Sequence, residues 1–182
     1  MGSTITLYTD RLILRKYKLS DSKGMYENWA TDPLTNRYLS WGLHPSEEFT
    51  RSVISEWIKD YDKDDTYNWI VELKDTNEVI GGISVVRLNK AYSVAEIGYC
   101  YGSKYWGKGY ATEALRRVIE YLLLDAGIYL VEAKHISGNP ASGKVMMKAG
   151  MKFDNVLRDR AFNKATNERN DYLVYSIKKN EL

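Results

Sequence analysis

"SVAEIGYCYGSKYWGKGYATEAL", residues 93–115, runs from a β-prone segment through a knot of aromatics and glycines straight into a helical pattern. "SVAEIGYCY" reads as a strand. Ala111, Leu115, Val118, Ile119 and Leu122 fall at helical spacing on one apolar face, and Gly127 ends the run. Between strand and helix, Gly107 and Gly109 leave amide N–H groups unscreened and allow backbone conformations closed to other residues. The first N–H groups of a helix have no internal partner, and the macrodipole makes that end mildly positive. These features together describe a cradle for an anion, phosphate above all. A tight turn into a helix is the alternative that the two glycines alone leave open.

Working outward, "IYLVEAKHI" (128–136) is a strand, so the unit over 94–136 needs a right-handed crossover and parallel pairing. "NPASGKVMMKAG" (139–150) is a short helix with Asn139 as cap, Pro140 in its first position and Gly150 closing it. "MKFDNVLRDRAF" (151–162) and "ERNDYLVYSIK" (168–178) make a final strand pair. Upstream, "YNWIVELK" (67–74) and "EVIGGISVVRL" (78–88) form a hairpin through Asp75 and Asn77. Ser46 caps a helix whose first turn holds Glu47 and Glu48 and whose apolar face is Phe49, Val53, Ile54 and Trp57. "TDPLTNRYLSWGLHP" (31–45) breaks regularity with two prolines and a glycine, while Ser20 and Asp21 are placed to cap a helix running to about Ala30. "RLILRKY" (11–17) sets Leu12 and Leu14 against Arg11, Ile13 and Arg15 and reads as an edge-region strand.

The chain has 182 residues, most simply a single domain over 1–182. With 26 basic and 24 acidic residues the formal charge is +2, which gives no reason to expect nucleic acid as a partner. The single cysteine, Cys100, excludes an internal disulfide and a cysteine-based metal cluster and suits a reducing compartment. No stretch approaches the roughly 20 apolar residues of a membrane span. The opening "MGSTIT" fits the loose myristoylation pattern, but "TITLYTDRLILR" reads better as the entry to a first strand. The expected setting is cytoplasmic, without membrane or nucleic-acid partners.

The order of elements and the motif "WGKGYA" (106–111) resemble the GNAT N-acetyltransferase superfamily over nearly the whole chain. The motif is similar to the family's pyrophosphate signature, Gln/Arg-x-x-Gly-x-Gly/Ala, with Gly109 and Ala111 in the last two fixed positions and Trp106 where Gln or Arg is usual. That departure is shared by the Rim-type ribosomal-protein N-terminal acetyltransferases, and "NPASGKVMMKAGM" is similar to the family's second landmark. The resemblance implies an α/β (α+β) GNAT fold. Its sheet would be mixed and mostly antiparallel, with about seven strands flanked by about four helices and a splayed central strand pair. It also implies acetyl-CoA as cosubstrate and a primary amine as acceptor, attacked directly in a ternary complex. The acceptor would be a protein N-terminus, or alternatively a small amine such as a polyamine, amino sugar or amino-acid derivative. A non-catalytic acyl-CoA sensor stays open as a third reading, and the protein would be a monomer or homodimer.

Carried over residue by residue, the amides of Gly107, Lys108, Gly109, Tyr110, Ala111 and Thr112 would turn onto the pyrophosphate of coenzyme A. Tyr99, Cys100 and Tyr101 would pair with the pantetheine arm, and one of their N–H groups would polarise the thioester carbonyl. Asn139 would divide its side chain between cap and cofactor. Acetyl transfer to an ammonium needs a proton removed and one supplied to the departing thiolate. Glu96 is the candidate base and Ser142 the candidate acid. Tyr38 and Trp41, with nearby His44, are placed to wall the acceptor site. Three positions depart from the family's patterns: Met146, Lys134 and Ala161 stand where a tyrosine acid or a carboxylate base is found elsewhere. His44 and His135 have no carboxylate at a readable spacing, and no metal is expected.

Overall fold

The computed structural model describes residues 3–163 and 167–182, and these build one sheet flanked by helices on both faces. Eight strands are present among the described residues: β1 (Leu7–Tyr8), β2 (Leu12–Arg15), β3 (Asn68–Leu73), β4 (Val79–Asn89), β5 (Val94–Tyr101), β6 (Leu130–Ile136), β7 (Lys152–Asn163) and β8 (Glu168–Lys178). Their spatial order is β1-β2-β3-β4-β5-β6-β8-β7, and only the β5–β6 pair is parallel. The count exceeds the expected seven because Leu7 and Tyr8 pair with Leu14 and Ile13, two residues that mean little without the neighbour. Gly2 of the myristoylation pattern lies outside the described residues.

The long helices are α3 (Glu47–Asp60) and α4 (Tyr110–Leu124), with the shorter α5 (Pro140–Lys148). Ser46 caps α3 by accepting from the Phe49 N–H, as its sequence position implies. On α4, Leu115, Val118, Ile119 and Leu122 are fully buried. Each such side chain contributes about 1.5–3 kcal/mol of burial, and together they fix the helix that starts at the cradle.

Between residues 18 and 49 the structure departs from the elements expected of the sequence. The Asp21 side chain does not cap the helix that begins at Ser22; it closes the capping box of the 3-10 turn Leu19–Asp21 instead. Its carboxylate accepts from the Lys18 N–H at 2.7 Å and pairs with Arg15 at 2.8 Å, while the Arg15 guanidinium also holds Glu72 at 2.7 Å. The expected single helix to Ala30 is a 3-10 turn, a short α1 (Ser22–Met25) and a π-turn over Tyr26–Ala30. The segment taken as irregular contains a further turn, α2 (Pro33–Asn36), opened by Asp32 and Pro33. Phe49 is exposed; Thr50 and Ile54 are the buried residues of α3.

Asp32 ties this region to the strand–helix junction. It accepts from Leu34 N–H at 3.0 Å, from the Thr35 hydroxyl at 2.7 Å and from Ser103 N–H at 2.7 Å. Desolvation raises its pKa, but the bonds from Thr35, Ser103 and Leu34 outweigh it and hold the carboxyl at about 2 against an ordinary 3.8. The stabilisation is therefore present above pH 4 and is lost as pH falls through the folded-state value. Asp32→Ala is expected to lose about 1–2 kcal/mol at pH 7. Chemical denaturation of both proteins down to pH 2 should show the gap closing below pH 4; a pH-independent gap would contradict this role.

Candidate active site

The parallel ladder between β5 and β6 joins Val94 to Leu130, Ala95 to Val131, Glu96 to Glu132 and Ile97 to Ala133, and then stops. Gly98 to Tyr101 keep β4 on one side and, among the described residues, have no strand on the other. A strand edge without a partner presents backbone donors and acceptors that a ligand can satisfy. A cleft of about 960 Å³ opens along this edge. Of the residues nominated from the sequence, Tyr38, Trp41, Glu96, Tyr99, Cys100, Tyr101, Gly107, Gly109, Tyr110, Ala111, Thr112, Asn139 and Ser142 line it, whereas Lys108 and His44 do not. Lys108 borders an adjoining hollow.

The cradle has the geometry its glycines imply. Gly107 and Gly109 have φ of +74° and +82°, the left-handed region. Gly109 is the N-cap of α4 and supplies no side-chain cap, so the first-turn amides of Tyr110, Ala111 and Thr112 are left open to a ligand. A Cβ on Gly107 would meet nothing within 4 Å. An unscreened loop running into an uncapped helix start on the cleft wall fits a diphosphate. The Tyr101 hydroxyl, buried on the same wall, has no hydrogen-bond partner among the described residues.

Alternation along β5 divides the cleft. Ala95, Ile97, Tyr99 and Tyr101 pack in the cluster that contains the α4 core residues, whereas Cys100 packs against Tyr17, Met25 and Trp29. On the α4 and α5 side, the Tyr99 hydroxyl lies 2.9 Å from Ser142 Oγ and donates to the Ser142 carbonyl at 3.1 Å. One phenolic proton serves one acceptor, so when the carbonyl takes it, the Ser142 hydroxyl donates to Tyr99. Burial pushes the Tyr99 phenol up to about 12, against the pull of Ser142, so it is neutral and a donor at physiological pH. The sequence nominated Tyr99 only for its backbone. Asn139 Oδ1 accepts from Ser142 N–H at 3.4 Å, the capping half of its expected double role.

On the other face, Glu96 is 7% exposed and bonded on both oxygens. Oε1 meets Lys134 Nζ at 2.8 Å, and Oε2 meets Arg87 at 3.0 Å. Arg87 also reaches Glu132 at 3.1 Å. Glu96 and Glu132 stand directly opposite in the parallel register, a repulsive pair that the two cations offset. Lys134, noted as a departure from the family pattern, is thus the partner of the candidate base. Met146 and Ala161, the other two departures, are buried.

The end of the cleft around Tyr38 and Trp41, expected from the sequence to take the acceptor, holds more rings than these two. Tyr17, Trp29 and Trp57 join them, with Tyr17 and Trp57 edge to face at 5.0 Å. A Cβ on Gly82 would stand 2.3 Å from the Tyr17 hydroxyl, so a glycine is needed where the phenol crosses β4. Cys100 lies among these rings, and burial pushes its thiol up to about 12, which leaves it no thiolate for nucleophilic chemistry at neutral pH. His44 packs between Trp41 and Phe49 and bonds Thr50 Oγ1 through Nδ1 at 2.8 Å; burial lowers its pKa. His135 Nδ1 donates to the Ile136 carbonyl at 2.8 Å. No group of three or more His, Cys, Asp or Glu among the described residues is placed to hold a metal, and no described helix is long and apolar enough to cross a membrane.

Residues 11–152 match the family described as "Acetyltransferase (GNAT) domain". The "Uncharacterized N-acetyltransferase p20" of Bacillus licheniformis is 32% identical over 177 residues, 97% of each chain. The crystal structure of an acetyltransferase (GNAT family) from Bacillus anthracis superposes with a TM-score of 0.84 at 26% identity, covering 97% of this chain and 100% of that one. A third relative, the [ribosomal protein uS5]-alanine N-acetyltransferase of Escherichia coli, is 24% identical over 164 residues, 85% of this chain and 82% of that protein.

The Tyr99–Ser142 pair gives a kinetic expectation. Ser142→Ala should lower acetyl-transfer turnover about 10²-fold while cofactor affinity falls far less. Tyr99→Phe leaves the serine in place without its anchor and should cost about tenfold, in turnover rather than in KM. Steady-state kinetics on both variants checks this, and equal losses in turnover and affinity would make the pair a binding element.

Proposed function

The chain belongs to the acetyltransferase (GNAT) domain family, and on that footing we propose that its acceptor is an α-amino group, foremost the N-terminus of a protein. The protein is an acetyl-CoA-dependent N-acetyltransferase. Acetyl-CoA, when bound, supplies an activated acetyl thioester, so the chain itself must orient donor and amine and manage two protons. The unpaired edge from Gly98 to Tyr101 orients the pantetheine arm, the amides from Gly107 to Thr112 hold the diphosphate, and Ser142, anchored by Tyr99, keeps a proton at Oγ for the leaving sulfur.

The observation that carries the acceptor assignment is the state of the cleft's carboxylates. Among the residues lining the cleft, Asp60, Asp65 and Glu96 are the acids, and each is ion-paired: Asp60 with Lys63, Asp65 with Lys90, Glu96 with Lys134 and Arg87. Of the three, Glu96 is held on both oxygens, by Lys134 and Arg87, while Asp60 and Asp65 are each paired through a single oxygen. A cleft built this way suits an amine that sheds its proton to water. An α-ammonium, with a pKa of about 8, has a neutral fraction of roughly one tenth at pH 7; a lysine amine at about 10.4 has roughly four parts in ten thousand. A second reading, a small α-amino compound with an aromatic or apolar side chain, is favoured by the five rings at the acceptor end.

The test is an acceptor panel: a peptide with a free N-terminus, the same peptide N-terminally blocked but carrying a lysine, aromatic amino-acid amides, and a polyamine. The free α-amine compounds are expected to turn over, with a rate rising through pH 8. Glu96→Gln should run parallel to wild type at all pH values and within about threefold of it. Preference for the blocked lysine peptide or the polyamine would contradict the proposal. So would a loss near 10²-fold in Glu96→Gln that recovers at high pH, since it would restore Glu96 as the base.

A further inference from the structure

The turn between β1 and β2 lies against the cradle, about 100 positions away in sequence. Arg11 is where they meet. Its backbone N–H donates to Glu113 Oε1 at 2.9 Å, and its Nε and Nη2 lie 2.7 and 2.6 Å from Glu113 Oε2. Its Nη1 donates to the Lys108 carbonyl at 3.0 Å, and its guanidinium lies 4.5 Å above the Tyr110 ring. A Cβ on Gly109 would be 3.3 Å from Nη2. Thr9 adds a bond from its hydroxyl to Glu113 Oε1 at 2.6 Å.

Two consequences follow. The peptide joining Lys108 to Gly109 is planar and trans, so fixing the carbonyl of Lys108 toward Arg11 fixes the N–H of Gly109 in the opposite direction. Glu113, in the first turn of α4, suits the helix dipole but repels an anion held at the same helix start. The guanidinium, bonded through two nitrogens, offsets that charge. Although burial opposes it, the bonds from Thr9 and Arg11 hold the Glu113 carboxyl below its ordinary pKa, so the acid is ionised and the compensation is needed.

We propose that Arg11 is a positioning residue for the cofactor's diphosphate: it sets the orientation of the Lys108–Gly109 peptide and cancels the charge of Glu113 at the helix start. The inference rests on the reading of that loop as the diphosphate site. Arg11 touches the cradle from the side of the adjoining hollow, which its side chain lines together with Lys108, Arg116 and Lys148.

The experiment compares wild type, Arg11→Ala and Arg11→Lys in two ways. Calorimetric titration with CoA and with pantetheine, which lacks the diphosphate and the nucleotide, needs no turnover. KM is then measured for acetyl-CoA and for S-acetylpantetheine. Arg11→Ala is expected to weaken CoA binding and raise the acetyl-CoA KM about tenfold or more, while the S-acetylpantetheine KM moves less than about twofold. Arg11→Lys keeps the charge but cannot bridge carboxylate and carbonyl with a fork, and should lose an intermediate amount, again for CoA only. It also serves if Arg11→Ala fails to fold. Equal changes for the two donors would reduce Arg11 to general structural support, and unchanged CoA affinity would overturn the proposal. A wild-type protein that binds CoA yet acetylates no amine would overturn the proposed acceptor and leave the Arg11 comparison valid. A wild type that binds no CoA would overturn both.

Discussion

A parallel ladder that ends after four pairs is the constraint on which the site depends. Beyond Ile97 and Ala133 the two central strands no longer bond to each other, although each keeps its outer neighbour: β4 for β5, β8 for β6. Unpaired backbone inside a sheet is costly unless something satisfies it. On one face of the sheet the opening is backed by packed helices. The α4 core residues pack in one cluster with Ile97 and Tyr101, and α5 brings Ser142 against Tyr99. The same α4 starts at Gly109, so the element that helps hold the strands apart also aims its uncapped amides into the opening. Strand edge and cradle form one device.

Charge organisation follows from that device. One pair before the ladder ends stand Glu96 and Glu132, two carboxylates forced opposite each other by the register. Arg87 and Lys134 close around them, which places a compensated ionic cluster at the mouth of the splay. A buried carboxylate that loses its partners is strongly destabilising, so Glu96 has a structural task that competes with proton abstraction. The hydroxyls of Tyr99 and Ser142 lie on the opposite face of the strand and carry no such burden. The Tyr99–Ser142 hydroxyls and the Glu96 cluster are thus separated by the two-residue period of β5.

Much of this was legible in the sequence because it rests on local chemistry. The positive φ of Gly107 and Gly109, the Ser46 and Asn139 caps and the buried stripe of α4 each follow from residues within one or two turns. What could not be read is what tertiary pairing decides. Leu7 and Tyr8 become a strand only beside Ile13 and Leu14. Asp21 looks like a cap until Arg15, itself holding Glu72 from β3, comes within 2.8 Å. Tyr17, Trp29 and Trp57 lie far along the chain from Glu96 and enter the cleft wall only when α1, α3 and the π-turn pack on the sheet. The pairing of Lys134 with Glu96 reverses the meaning of a position that the sequence alone marks as a missing base.

Hydrogen–deuterium exchange with and without CoA reads the very backbone groups that a cofactor in this opening would satisfy. Binding should slow exchange in two separate segments, Gly98–Tyr101 on the open strand edge and Gly107–Thr112 at the start of α4, with little change in β7 and β8. Protection absent from either segment, in a protein shown to be saturated with CoA, would contradict the account of strand edge and cradle as a single cofactor site.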